Sequence, residues 1–144
     1  MTKASQQSSL IALACGISLA CAAPSMAAMV DLKADLKASN EVPPNESKAT
    51  GSVTATFDTD SNKLSWKGTV SGLSGPVTAA HFHAAEAGRN GAVAVSMMGA
   101  DKSSLEGSAT LTDTQAEDLM AGKWYVNIHT ATHKAGEIRG QVTK

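Results

Sequence analysis

Apolar residues recur at every second position along most of this chain, in short runs closed by Gly, Pro, Asn, Asp or Ser. A period of two sends successive side chains to opposite faces of an extended strand, so such a chain folds as sheet with one face turned to a core. Val30, Leu32 and Leu36 alternate with Asp31, Lys33, Asp35 and Lys37. Val53, Ala55 and Phe57 alternate with Ser52, Thr54 and Thr56, and Asp58-Thr59-Asp60-Ser61-Asn62 turns that run into Leu64, Trp66, Gly68 and Val70. This pair is the clearest hairpin in the sequence.

Further strands are expected at 77–83, 92–98, 105–111, 124–129 and 137–142, with loops at 41–45 and 71–76 and a tight turn at Gly88-Arg89-Asn90-Gly91. Thr112 stands three residues before Gln115 and Gly122 follows Leu119-Met120, which predicts one short helix over residues 113–121. The expected fold is all-β: an antiparallel Greek-key β-sandwich or flattened barrel of about eight strands with one helix. No repeat or heptad interrupts it, so a single domain is expected.

The first residues do not share this pattern. Lys3 opens a short polar start, an apolar stretch runs from Leu10 to Ala23, and the small residues Pro24-Ser25-Met26-Ala27-Ala28 follow. These are the three parts of an export signal. The apolar stretch contains Gly16 and Pro24 follows it, and it is shorter than the roughly 18 residues that a membrane-spanning helix needs. Residues 1–27 are therefore expected to be a leader cleaved after Ala27 or Ala28. The mature domain would be residues 28–144, periplasmic or secreted, with no membrane span.

Both cysteines, Cys15 and Cys21, lie in that leader. The mature chain is thus expected to hold no disulfide, thiolate metal site or cysteine nucleophile. With 12 Lys and Arg against 13 Asp and Glu, the formal charge of -1 offers no basic field for a nucleic-acid backbone.

All four histidines sit in two places: His81 and His83 in Ala79-Ala80-His81-Phe82-His83, and His129 and His133 in Asn127-Ile128-His129-Thr130-Ala131-Thr132-His133. Period two places His81 and His83 on one face of a strand, where two imidazoles can lean onto one ion. If Phe82 points to the core, both point outward. By the same rule Trp124, Val126 and Ile128 turn inward and His129 turns outward beside Tyr125 and Asn127. Glu137 and Arg139 read as an exposed pair on that face, and His133 hangs over it from the following loop. The candidate metal ligands are His81, His83, His129 and His133. Imidazole donors suit copper, with zinc as the alternative, better than magnesium or calcium. Met97 and Met98 read as packing residues.

Glu41-Val42-Pro43-Pro44, Ala79-Ala80-His81-Phe82-His83, Asn90-Gly91, Trp124-Tyr125-Val126-Asn127-Ile128-His129-Thr130 and Gly136-Glu137-Ile138-Arg139-Gly140-Gln141 together resemble the CHRD (chordin-type) domain. The resemblance covers residues 30–143. It implies an exported β-sandwich distantly similar to copper/zinc superoxide dismutase, whose copper takes two ligands from an HxH strand matched here by His81 and His83. No cysteine stands within residues 28–144 to form that fold's intrasheet bridge, and Ala84-Ala85-Glu86-Ala87-Gly88 stands in place of a His/Asp-rich zinc loop.

Three functions follow as expectations. The first is an exported copper-binding module. The second is a metal-free domain that binds another exported protein. The third is a copper oxidoreductase in which Arg139 steers an anion to the metal. No nucleophile elbow, zinc-protease helix or phosphate loop stands in the sequence.

Overall fold

The computed structural model describes residues 27–98 and 104–144. The leader expected over residues 1–27 lies outside the described residues except for Ala27. Eight strands follow in order: β1 (Met29–Lys37), β2 (Thr50–Asp58), β3 (Lys63–Ser71), β4 (Val77–Ala84), β5 (Ala92–Ser96), β6 (Glu106–Thr110), β7 (Trp124–Thr130) and β8 (Ile138–Gln141). Among the described residues one helix, α1 (Asp113–Met120), sits between β6 and β7, and a single 3-10 turn covers Ala38–Asn40.

The alternation builds the core directly. Leu32, Ala34 and Leu36 of β1, Val53, Ala55 and Phe57 of β2, and Leu64 and Trp66 of β3 are all buried on one face. The 58–62 turn forms as its residues dictate: the Asp58 carboxylate accepts from the backbone N–H of Asp60 at 2.9 Å, and Asn62 takes a φ of 55°. Ala80 and Phe82 of β4 meet Trp124, Val126 and Ile128 of β7 in the same interior, with Phe82 at 5.4 Å from Trp66 and 5.7 Å from Trp124 between ring centroids.

All strands pair antiparallel in one sheet, in the order β5-β4-β7-β8-β1-β2-β3-β6, curled into a nearly closed barrel. β7 returns to lie beside β4, not beside the preceding β6, which is the Greek-key connection. The open seam between β5 and β6 is tied by side chains. Trp66 Nε1 donates to the Met97 carbonyl at 3.2 Å, and Gln115 Nε2 donates to the Ala94 carbonyl at 3.2 Å.

Gln115 also completes the cap of α1, because Thr112 Oγ1 accepts from its N–H while its side chain accepts from Thr112 N–H. Helix start and seam closure thus share one residue. Ala116 and Leu119 bury the inner side of the helix. Met97 is fully buried, as a packing residue should be.

β7 and β8 differ from the other strands in having both faces covered, and in β7 only His129 is partly open. The outer face of β7 lies under two segments, 38–47 and 86–91. Here the structure departs from the sequence reading. Glu137 and Arg139 do point to the outer side, but they are 0% and 2% exposed, and they form no ion pair with each other. Glu137 accepts instead from Ser47 Oγ at 2.7 Å, Ser74 N at 2.9 Å, Ser74 Oγ at 2.7 Å and Thr130 Oγ1 at 2.7 Å. A strand pattern gives the side a residue faces; loops folded across that side decide whether it sees water.

Candidate metal centre

β4 and β7 pair with Ala79 opposite His129, His81 opposite Asn127 and His83 opposite Tyr125. Outward side chains of neighbouring strands stand side by side, so this register brings three imidazoles together. Nδ1 of His81 lies 3.3 Å from Nε2 of His129. The ring centroids of His81 and His83 are 5.5 Å apart, and those of His83 and His129 are 6.4 Å apart. One nitrogen from each of the three lies within 4.8 Å of the others.

Bonds of about 2.0–2.1 Å to one ion allow at most about 4.2 Å between two nitrogens and about 3.3 Å across a tetrahedral edge. The His81–His129 pair is at that edge length already, and no pair among the three is wider than 4.8 Å.

Tautomers are set from behind. His83 Nδ1 lies 2.9 Å from the Gly91 carbonyl, so it carries the proton and donates, leaving a lone pair on Nε2. That Nε2 is buried and has no partner among the described residues. His129 Nδ1 is held the same way, 2.9 Å from the Lys134 carbonyl, so its Nε2 carries the lone pair that faces His81 Nδ1 at 3.3 Å. A carbonyl behind the ring and a lone pair in front is the usual arrangement of a metal-ligating histidine. The donor set therefore fits an imidazole-preferring ion.

Burial favours the neutral form in both members of the HxH pair. Burial pushes the pKa of His81 down, with the neighbouring imidazoles of His129 and His83 adding to the effect. His83 is also pushed down, chiefly by burial, although its bond to the Gly91 carbonyl pulls the other way. Neutral imidazole is the ligating form.

The four sequence candidates do not all meet. His81, His83 and His129 form the group; His133 is not part of it. The backbone of His133 closes the 130–136 loop, its N–H donating to Thr130 Oγ1 and its carbonyl accepting from Gly136 N–H.

Behind the cluster stands a network that the sequence reading did not contain. The His83 ring stacks on Tyr125 at 4.8 Å and 4°, and Cζ of Arg139 lies 3.4 Å from the Tyr125 centroid. Arg139 donates to Asn90 Oδ1 at 2.9 Å and to the Arg89 carbonyl, and Gly91 N–H donates to the Tyr125 hydroxyl at 3.2 Å. The Gly88-to-Gly91 turn is thus a clamp on the site as well as a turn. Its Gly91 has no room for a Cβ, which would strike the Ala84 carbonyl. Deeper in, Asn127 Nδ2 donates to Glu41 at 2.6 Å, and burial raises the Glu41 pKa to about 7 against the opposing pull of Arg139 and of that bond.

The molecule is thus an all-β barrel with three converging imidazoles on its outer face. The sequence model of the CHRD domain matches residues 32–142, and the chain belongs to that family. CHRD domains are extracellular in general, and among the described residues no helix is long and apolar enough to cross a membrane. No curated protein and no solved structure matches the chain.

Proposed function

We propose that this CHRD domain is an exported, periplasmic or secreted, copper-binding module whose ligands are His81, His83 and His129. The observation that carries this reading is the buried, partnerless Nε2 of His83, aimed from a rigid strand beside two further imidazoles. An orphaned buried acceptor is costly in an apo protein, at about 1–3 kcal/mol, and an ion removes that cost. Copper outranks zinc because nitrogen sites follow the usual order of divalent ions, with zinc the second choice. His133 stands outside the group of three, so its contribution is expected to be small.

The anion-steering role for Arg139 finds no support, because its side chain is buried and both of its terminal nitrogens already donate to protein acceptors. Binding and holding the ion is the function that the geometry favours.

The test is a competition titration of copper and zinc into residues 28–144. One copper should bind, more tightly than zinc, and the double substitution His81→Ala/His83→Ala should abolish it. His133→Ala should weaken binding less than either single substitution in the HxH pair. Stoichiometric binding that survives the double substitution would overturn the site, and no binding at all would favour a metal-free interaction domain.

A further inference from the structure

β4 and β8 flank β7 on opposite sides. His83 and Arg139 therefore cover opposite faces of Tyr125, and the guanidinium sits one ring away from a metal ligand. Among the described residues no carboxylate lies within 4.0 Å of that guanidinium, and its recorded acceptors, Asn90 Oδ1 and the Arg89 carbonyl, are neutral.

The acid opposing it at longer range is Glu41, whose pKa of about 7 leaves it only partly charged near neutrality. Glu137 is ionised, but its four donors come from Ser47, Ser74 and Thr130, on the far side of its own network. The acceptors behind His83 and His129 are backbone carbonyls, not carboxylates.

An ion in this site meets three imidazoles, which carry no charge when they ligate, and one fixed cation. A repelling cation acts twice as strongly on a doubly charged ion as on a singly charged one. Resting on the copper reading above, we infer that the site holds copper(I) in preference to copper(II), and that the positive charge of Arg139, held across the Tyr125 ring, sets this preference. Three imidazoles can supply the low coordination number that copper(I) accepts, so nothing further is required of the protein.

The experiment measures both affinities for residues 28–144: copper(I) without oxygen against bicinchoninate, and copper(II) against nitrilotriacetate. The native domain should bind copper(I) more tightly than copper(II). Arg139→Gln should lower the ratio of the two affinities by about tenfold, the effect of one elementary charge at partly buried range. Arg139→Lys, which keeps the charge without the planar stack, should hold the ratio within about threefold. Glu41→Gln removes the opposing charge and should move the ratio the other way, which keeps a second arm if Arg139→Gln fails to fold. Tighter copper(II) binding by the native domain, or equal shifts for Arg139→Gln and Arg139→Lys, would overturn the inference while leaving the copper site standing. Failure to bind either ion would instead remove the site itself.

Discussion

Glu137 shows how much a single buried carboxylate can hold in place. Burial alone would raise its pKa, yet the hydroxyls of Thr130, Ser74 and Ser47 and the Ser74 N–H outweigh it and bring the value from 4.5 down to about 2. A depressed carboxylate pKa stabilises the fold above the unfolded value and loses that contribution as pH falls through the folded one. Acid unfolding between about pH 4.5 and pH 2 should therefore be blunted in Glu137→Gln, and Glu137→Ala should cost about 2–4 kcal/mol by urea denaturation at neutral pH, since its donors lose their acceptor. Glu41 has the opposite sign. Its raised pKa means the folded state holds the proton longer, so its contribution to stability falls as pH rises from 4.5 through about 7. Glu41→Gln should gain stability relative to the native domain across that window; a constant difference between pH 5 and pH 8 would contradict this. The outward direction of His81, His83 and His129 was legible from parity against Phe82, Trp124 and Ile128. The burial of Glu137 and Arg139 was not, because it depends on segments 38–47 and 86–91 folding across the sheet. Nor were the Gly91 and Lys134 carbonyls behind the rings, since a backbone acceptor has no signature in a sequence.

Strands and helix were legible for a different reason: each is bounded by residues whose local chemistry stops it. The Thr112 and Gln115 pair fixed the start of α1, and Thr112→Ala should cost about 1 kcal/mol by removing the cap. Strand order was less accessible, because the placement of β7 between β4 and β8 is a long-range pairing that alternation cannot specify. The seam where β1 meets β8 illustrates this. It is narrow, with Lys37 opposite Arg139 and an isolated bridge between Lys33 and Thr143. Gly140 makes the approach possible, since a Cβ there would strike the Asp35 carbonyl. Gly140→Ala should therefore loosen the barrel at this seam and lower thermal stability by roughly 1–3 kcal/mol, whereas Gly75→Ala, with nothing within 4 Å, should change little.

At the scale of the whole molecule, a barrel without cysteine in residues 28–144 has to stand on its apolar core and its hydrogen-bonded loops. Its melting temperature should be indifferent to dithiothreitol, and intact mass of exported protein should begin near Ala28. A ligand that binds only the folded state adds stability by mass action, about 2.7 kcal/mol at one hundred times its dissociation constant. Copper should then raise the melting temperature by roughly 10 °C in a domain of this size, and His81→Ala/His83→Ala should erase the increase. The most direct test of the metal site is a crystal of residues 28–144 grown with one equivalent of copper and measured at the copper absorption edge. The account predicts one anomalous peak, about 2.0–2.2 Å from a nitrogen of each of His81, His83 and His129. Clear density for three imidazoles with no peak between them, or a peak held by other residues, would contradict it.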